Sequence, residues 1–208
     1  MTSRCLALLL ALITPALHAE EAKTVDNPPK LAYGQMMKQG DKLVFAPCRD
    51  RSYLMVEDVS GDGAVLRGLD QVGLSAGKKL YVELLATAEG STLKAAGLNF
   101  AHTEGRCQQP GGSDESWRAT GNEPGWMLAI GAEQIVLKRL GQADLLLPYV
   151  APERSGRGVH LEATAGQQRL ALRFEPGLCR DTMADAVFGW TARVEVNAQV
   201  LSGCAWQR

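Results

Sequence analysis

The stretch CRDTMADAVFGWTARVEVNAQVLSGC, residues 179–204, sets two cysteines around a polar, acid-containing loop and a segment that alternates. In GWTARVEVN, every second position from residue 190 to residue 196 is apolar, and the positions between them are polar or charged. This period of two predicts a strand with one buried face. Cys179 and Cys204 would form a disulfide, bind a metal or react. We expect the disulfide, because a zinc site needs four ligands at close spacing and no histidine lies near this pair.

The first 19 residues, MTSRCLALLLALITPALHA, have the features of a secretory signal peptide. Arg4 precedes an apolar run over residues 6–13, and small residues precede a predicted cleavage after Ala19. The run is too short to span a bilayer, so we expect no membrane anchor. Cys5 lies ahead of the apolar run and would be removed with the signal peptide. The mature protein is therefore predicted to be periplasmic or secreted.

Loss of the signal peptide, which holds one of the 22 basic residues of the chain, would leave 21 basic residues. The number of acidic residues would stay at 23. This near-neutral balance argues against nucleic acid as a partner. Four cysteines would remain, and an even number in an exported chain predicts two disulfides with three possible connectivities. The simplest is local pairing, Cys48 with Cys107 and Cys179 with Cys204. Such bridges would contribute at most about 4 and 3.5 kcal/mol.

Two polar segments divide the chain that follows the signal peptide. Residues 20–30 are predicted to be a disordered leader segment, and residues 109–116, rich in Pro, Gly and Ser, a linker. Between them, residues 31–108 are predicted to contain three strands, a helix and two further strands, with a bulge near Gly97. That is the order of an OB-fold barrel. Residues 117–208 are predicted to be all-β, so the fold class is mainly β with two small β-barrel domains.

The first half contains sparse motifs, namely Tyr33-Gly34, Phe45-x-x-Cys48, Tyr53-x-x-Val56 and a late Cys107. With the order of strands and helix, they resemble the C-terminal OB domain of NlpE, a lipoprotein family of envelope-stress sensing and copper homeostasis. The resemblance covers residues 31–108 and implies a five-stranded barrel with one helix. NlpE proteins are lipid-anchored and carry a Cys-x-x-Cys domain, and this sequence has neither. Anchoring and any thiol- or copper-linked role therefore do not transfer.

The second half contains WRATGNEPGW, PGLCRDTMAD, FGWTARVEVN and LSGCA. These segments resemble the C-terminal domain of a bacterial envelope protein family that joins it to an NlpE-like domain. This domain is loosely similar to the META domain of the lipoprotein HslJ. The resemblance covers residues 117–208 and implies a META-like β domain, without an established activity. The sequence departs from the usual pattern at Gly125, often aromatic, at Thr182, often Gly, and at residues 188–190, often Tyr-Pro-Tyr.

Polar residues of the GNEPGW turn and of the loop after Cys179 are the candidates for a ligand or partner surface. They are Asn122, Glu123, Trp126, Arg180, Asp181 and Asp185. The carboxylates could instead act as an acid/base pair, which requires a defined separation. A structural role competes with both interpretations, because Asp and Asn bind nearby backbone amides in turns and at helix starts. On that interpretation, Asp181 or Thr182 could begin one helical turn.

Other residues give no site. The tryptophans are Trp117, Trp126, Trp190 and Trp206, of which three are expected in the core and Trp206 is the best candidate for exposure. The methionines are scattered over both halves, which favours core filling over copper binding. The sequence contains no Gly-x-Ser-x-Gly, phosphate loop or His-Glu-x-x-His, so we expect no catalytic residues, metal or cofactor.

These observations predict a non-enzymatic binding or accessory protein of the bacterial envelope. Its partner would be an envelope protein or a small ligand, and the family resemblance implies a link to envelope stress. The alternative is an inhibitor of a hydrolase such as lysozyme, because a rigid acidic loop can enter the cleft of a basic enzyme at little entropic cost.

Overall fold

The computed structural model of the chain describes residues 27–103, 106–107 and 114–208. The predicted signal peptide, most of the predicted leader segment, and residues 109–113 of the predicted linker lie outside the described residues. Within these ranges the protein is mainly β, as predicted, with one α-helix.

The first half begins with strands, continues with a helix and ends with two long strands. Its elements are β1 (Lys30–Gln39), β2 (Lys42–Pro47), β3 (Leu54–Asp58), α1 (Ala64–Gln71), β4 (Leu80–Glu89) and β5 (Thr92–His102). β1 pairs with β2 and β4, β2 with β3, and β4 with β5, all antiparallel. β3 also pairs with β5 in parallel, which closes the ring of five strands. The predicted OB-like barrel is therefore confirmed.

Helix α1 is present because the DVSGDGAVL segment supplies both its cap and its apolar face. The first backbone N–H groups of a helix have no partner within the helix. Here the carboxylate of Asp58 accepts the N–H of Leu66 at 2.9 Å, and the hydroxyl of Ser60 accepts the N–H of Val65 at 3.1 Å. Val65 and Leu69 lie on one helical face and are buried in the barrel core.

Strand β5 contains the predicted bulge. Its register against β4 shifts twice, once between Ala95 and Gly97 and once between Leu98 and Phe100. Asn99 is the extra residue at the second shift, and its side chain is fully buried. Bulges change the direction in which a side chain points.

The second half consists of strands joined by short turns. They are β6 (Trp117–Asn122), β7 (Gly125–Ile130), β8 (Gln134–Arg139), β9 (Leu145–Pro148), β10 (Glu153–Ser155), β11 (Gly158–Ala165), β12 (Gln168–Asp181), β13 (Ala186–Val196) and β14 (Gln199–Gln207). Hydrogen bonding gives the order β10-β11-β12-β13-β14-β6-β7-β8-β9. The sheet curls so that β9 packs against β11 around a second apolar core.

The tryptophans follow the prediction. Trp117, Trp126 and Trp190 are buried in the second core, whereas Trp206 is partly exposed. The ring of Trp206 contacts Phe188 and Phe100, with ring centroids 5.1 and 6.0 Å apart. Trp206 therefore belongs to an aromatic contact between the two halves.

The two halves share one sheet, because β13 pairs with β5 through residues 186–188 and with β14 through residues 190–196. The pairs between β13 and β5 are Phe188 with Phe100, Val187 with Ala101 and Ala186 with His102. The side chain of Val187 lies in the core of the OB-like barrel. Gly189 lies where β13 changes neighbour, and a Cβ placed there would meet the carbonyl oxygen of Leu98 at 1.7 Å.

A buried polar network also joins the halves. The side-chain amide of Asn99 donates to Glu83 at 2.8 Å and to the carbonyl of Gln207 at 2.9 Å, and accepts the N–H of Gln207 at 2.8 Å. Tyr81 donates its hydroxyl to Glu83 at 3.0 Å. Burial raises the pKa of Glu83, and the bonds from Tyr81 and Asn99 oppose this rise.

Both disulfides pair as predicted. Cys48 is bonded to Cys107, and Cys179 to Cys204. Disulfides persist in oxidising compartments, so this pairing indicates a location outside the cytoplasm. No helix among the described residues is both long and apolar enough to cross a membrane.

Candidate functional site

The two predicted surface segments meet in the fold. Asn122 ends β6 and Asp181 ends β12, and the amide of Asn122 donates to Oδ1 of Asp181 at 3.0 Å. The register of β12 on β13 shifts between Pro176 and Cys179, just before this contact. The Cys179–Cys204 bond then ties the end of β12 to β14, which is the neighbour of β6.

Asp181 holds the loop that joins β12 to β13. Besides Asn122, its Oδ1 accepts the backbone N–H groups of Met183 and Ala184, at 2.9 and 3.1 Å. Residues 182–185 form the hairpin turn, so the helical turn that the sequence allowed at Asp181 or Thr182 is wrong. The carboxylate keeps the capping chemistry that was expected of it, but in a turn.

Asp185 ties the same loop to the barrel half. Its backbone φ is 47°, in the left-handed region, which Asp adopts more readily than most residues. Its Oδ2 accepts the hydroxyl of Thr103 at 3.2 Å and lies 3.5 Å from Nζ of Lys78. Its Oδ1 lies 3.9 Å from the guanidinium of Arg180. These ion pairs are exposed and contribute little energy, so their effect is mainly on loop geometry.

Trp126 is not a surface residue. Its side chain is 4% exposed, and its indole N–H donates to the carbonyl of Ser202 at 3.3 Å. The expectation of a contact role for Trp126 is therefore corrected, because its ring packs in the second core and supports the turn from below. Glu123 is exposed in that turn.

Met183 is a surface residue that the sequence interpretation missed, and Met55 and Met127 are exposed to a smaller extent. Met183 was expected to fill a core, as Met36 does, yet its side chain is 82% exposed at the tip of the hairpin turn. Its position between Asp181 and Asp185 in a polar loop was the available signal. The loop therefore presents a thioether, and each of its two carboxylates is bonded to groups of the protein itself.

The loop combines two engaged carboxylates with an exposed apolar tip. Both carboxylates of the loop are engaged by groups of the protein itself, as the distances above show. Within the described ranges, no group of three His, Cys, Asp or Glu side chains is placed to hold a metal ion. What the site offers is a fixed loop with an apolar tip.

Replacement of Asp181 should loosen this loop. We expect Asp181→Ala to lower the free energy of unfolding by about 1–2 kcal/mol, because three donors lose their acceptor. Asp181→Asn keeps an oxygen at the same position and should lose less than half as much. Urea unfolding measures the loss, and hydrogen exchange at the amides of Met183 and Ala184 locates it. Equal stability and exchange in wild type and Asp181→Ala would show that the bonds do not hold the loop.

Comparison with protein-family models, with curated proteins and with solved structures finds no match to this chain.

Proposed function

We propose that this chain is a non-enzymatic binding or accessory protein of the bacterial envelope, periplasmic or secreted, which contacts a partner through the loop 180–185. The observation that carries the proposal is Met183, 82% exposed on a loop whose backbone is fixed. An exposed apolar side chain gains free energy when a partner buries it. Because the loop is already ordered, little conformational entropy is lost on binding.

The chemistry of the loop indicates an apolar pocket with a charged rim on the partner. Arg180 and Lys78 both pair with Asp185 of the same loop, and their side chains are 44% and 52% exposed. Flexible thioethers adapt to irregular apolar pockets, and rim charges steer the encounter. The envelope location is supported by the two disulfides and by the signal-peptide features of the sequence. The link to envelope stress comes from the NlpE-like resemblance and is part of the proposal.

Inhibition of a hydrolase such as lysozyme is the second candidate. That function was expected from an acidic loop facing a basic enzyme. Asp181 and Asp185 are instead bonded within the protein, so the group that would enter a cleft is Met183. An apolar tip fits an apolar pocket better than the active cleft of a basic enzyme, and we rank inhibition second for this reason.

The test is affinity capture from an envelope extract with the oxidised protein, followed by binding measurements on the captured partner. Met183→Gln removes the apolar tip, and Met55→Gln, at an exposed methionine of β3, is the matched control. We expect Met183→Gln to weaken binding about tenfold or more, as is usual for a central contact residue. Met55→Gln should bind like wild type.

Two results would contradict the proposal. Equal binding by wild type and both variants would place the contact surface away from the loop. Inhibition of lysozyme at micromolar protein, lost in Met183→Gln, would assign the loop to the inhibitor function instead.

A further inference from the structure

We infer that the outer face of strands β10 to β13 is a second binding site, for a small anion that carries a carboxylate or a phosphate group. It shares no residue with the loop 180–185. Two adjoining grooves lie on this face, of about 490 and 330 Å³. Both are lined by His160 and Arg173, so the two grooves form one trough. Arg157 lines the first groove, and Arg193 lines the second.

Strand pairing places a histidine and two arginines side by side in this trough. His160 on β11 pairs with Arg173 on β12, and Arg173 pairs with Arg193 on β13. Like charges directly opposite each other destabilise a sheet. An anion between the two arginines would turn this repulsion into attraction, since planar guanidinium groups bind carboxylate and phosphate oxygens in pairs.

The acidic residues of the face do not use up its donors. Arg193 donates to Glu195 from Nε and Nη2, at 3.1 and 2.8 Å, and Glu162 is bonded to Arg169 at 2.8 Å. By contrast, the contact between Arg173 and Glu175 is 4.0 Å, beyond hydrogen-bond length.

Two other groups of the first groove also lack partners. Among the described residues, Arg157 makes no hydrogen bond or ion pair, and Nδ1 of His160 is buried without a hydrogen-bond partner. Nε2 of His160 lies 3.4 Å from Glu153. In the described part of this face, the cationic donors without a close partner are therefore those of Arg157 and Arg173, which line the first groove together with His160.

The shape of the trough limits the ligand. Its floor is low at Gly158 and Ala171, between the longer side chains of the rows on either side. A Cβ at Gly158 would approach the carbonyl oxygen of Phe174 to 2.9 Å, so this position stays open. Glu162, Glu175 and Glu195 also line the trough and repel an anion that is not aligned with the arginines. A compact group with two or three oxygens fits these conditions.

The experiment is a chemical-shift titration of the ¹⁵N-labelled oxidised protein, with inorganic phosphate in one arm and succinate in the other. Ionic strength is held constant with NaCl, because exposed charges are screened by salt. We expect saturable shifts at the amides of Gly158, His160 and Ala171. Arg173→Gln should weaken binding at least about tenfold, the effect of losing charged hydrogen bonds. Arg67→Gln, at an exposed position of α1, should leave binding unchanged.

Each outcome of the titration either supports the anion site or rules it out. Saturation by phosphate alone assigns a phosphate ligand, saturation by succinate alone assigns a carboxylate, and either supports the site. Absence of saturation in both arms would overturn it, as would equal weakening by Arg173→Gln and Arg67→Gln. Both substituted side chains are exposed, so unchanged melting temperatures are expected and would separate lost binding from lost folding.

Discussion

Gly189→Ala is expected to lower the free energy of unfolding by more than about 3 kcal/mol, although it adds one methyl group. The added Cβ would lie 1.7 Å from the carbonyl oxygen of Leu98 and 2.7 Å from its carbonyl carbon. Those atoms belong to the backbone of β5, so no rotamer change relieves the contact. Relief requires β13 to separate from β5, which breaks the sheet that joins the two halves.

The measurement is urea unfolding followed by tryptophan fluorescence and by far-UV circular dichroism. Gly97→Ala is the matched control in the same strand as Leu98, because a Cβ there would meet the side chain of Leu85 at 3.5 Å, an ordinary contact. It should change stability by less than about 1 kcal/mol. If Gly189→Ala were as stable as Gly97→Ala, the close approach of β13 and β5 would be wrong.

Asn99→Ala is expected to lower the free energy of unfolding by about 2–4 kcal/mol. The side-chain amide of Asn99 bonds to both the backbone N–H and the carbonyl of Gln207, as the backbone of a neighbouring strand would. The last residue pair of β13 and β14 is Trp190 with Ala205, so Gln207 has no backbone partner on that side. The variant would leave these groups, and one oxygen of Glu83, buried without a partner.

The loss should grow with pH. The pKa of Glu83 in the folded protein is raised above its ordinary value of 4.5, chiefly by burial. A raised pKa gives a contribution that is present below pH 4.5 and is lost as pH rises through the folded value. Asn99 stabilises the ionised carboxylate, so its removal raises the pKa of Glu83 further and costs more at pH 7 than at pH 4.

Unfolding of wild type, Asn99→Ala, Glu83→Gln and the double variant at both pH values completes the measurement. The double-mutant cycle isolates the interaction between the two side chains. In the Glu83→Gln background, the effect of Asn99→Ala should be nearly independent of pH. A loss that is equal at both pH values in the wild-type background would contradict this account.

Local patterns predicted most of the fold. The alternation from Trp190 to Val196, the helical spacing of Val65 and Leu69, and the irregular register near Gly97 each depend on a few neighbouring residues. Cysteine pairing also followed from position along the chain. These features depend on interactions between residues that are close in the chain, so they can be predicted from the sequence.

The joining of the halves could not be predicted in the same way. It depends on residues far apart in the chain, such as Asn99 with Gln207, and nothing in the NFAH segment of β5 indicates a partner 108 residues away. The surface role considered for Trp126 and the core position expected of Met183 were wrong for a related reason. Hydrophobicity predicts average burial, whereas the ends of strands decide which side chain points inward. The trough was missed because His160, Arg173 and Arg193 become neighbours only when three strands pair.

The shared sheet bears on how the chain is made. A ribosome or a translocation channel releases residues in order, and the OB-like barrel has all its strands once residue 102 has emerged. Its core still lacks Val187, and its buried Asn99 still lacks Gln207, until nearly the last residue has been delivered. The barrel core therefore stays incomplete, and Phe100 lacks its contacts with Phe188 and Trp206, while roughly the second half of the chain is delivered. The first half therefore cannot complete its core until the last strands of the second half are present.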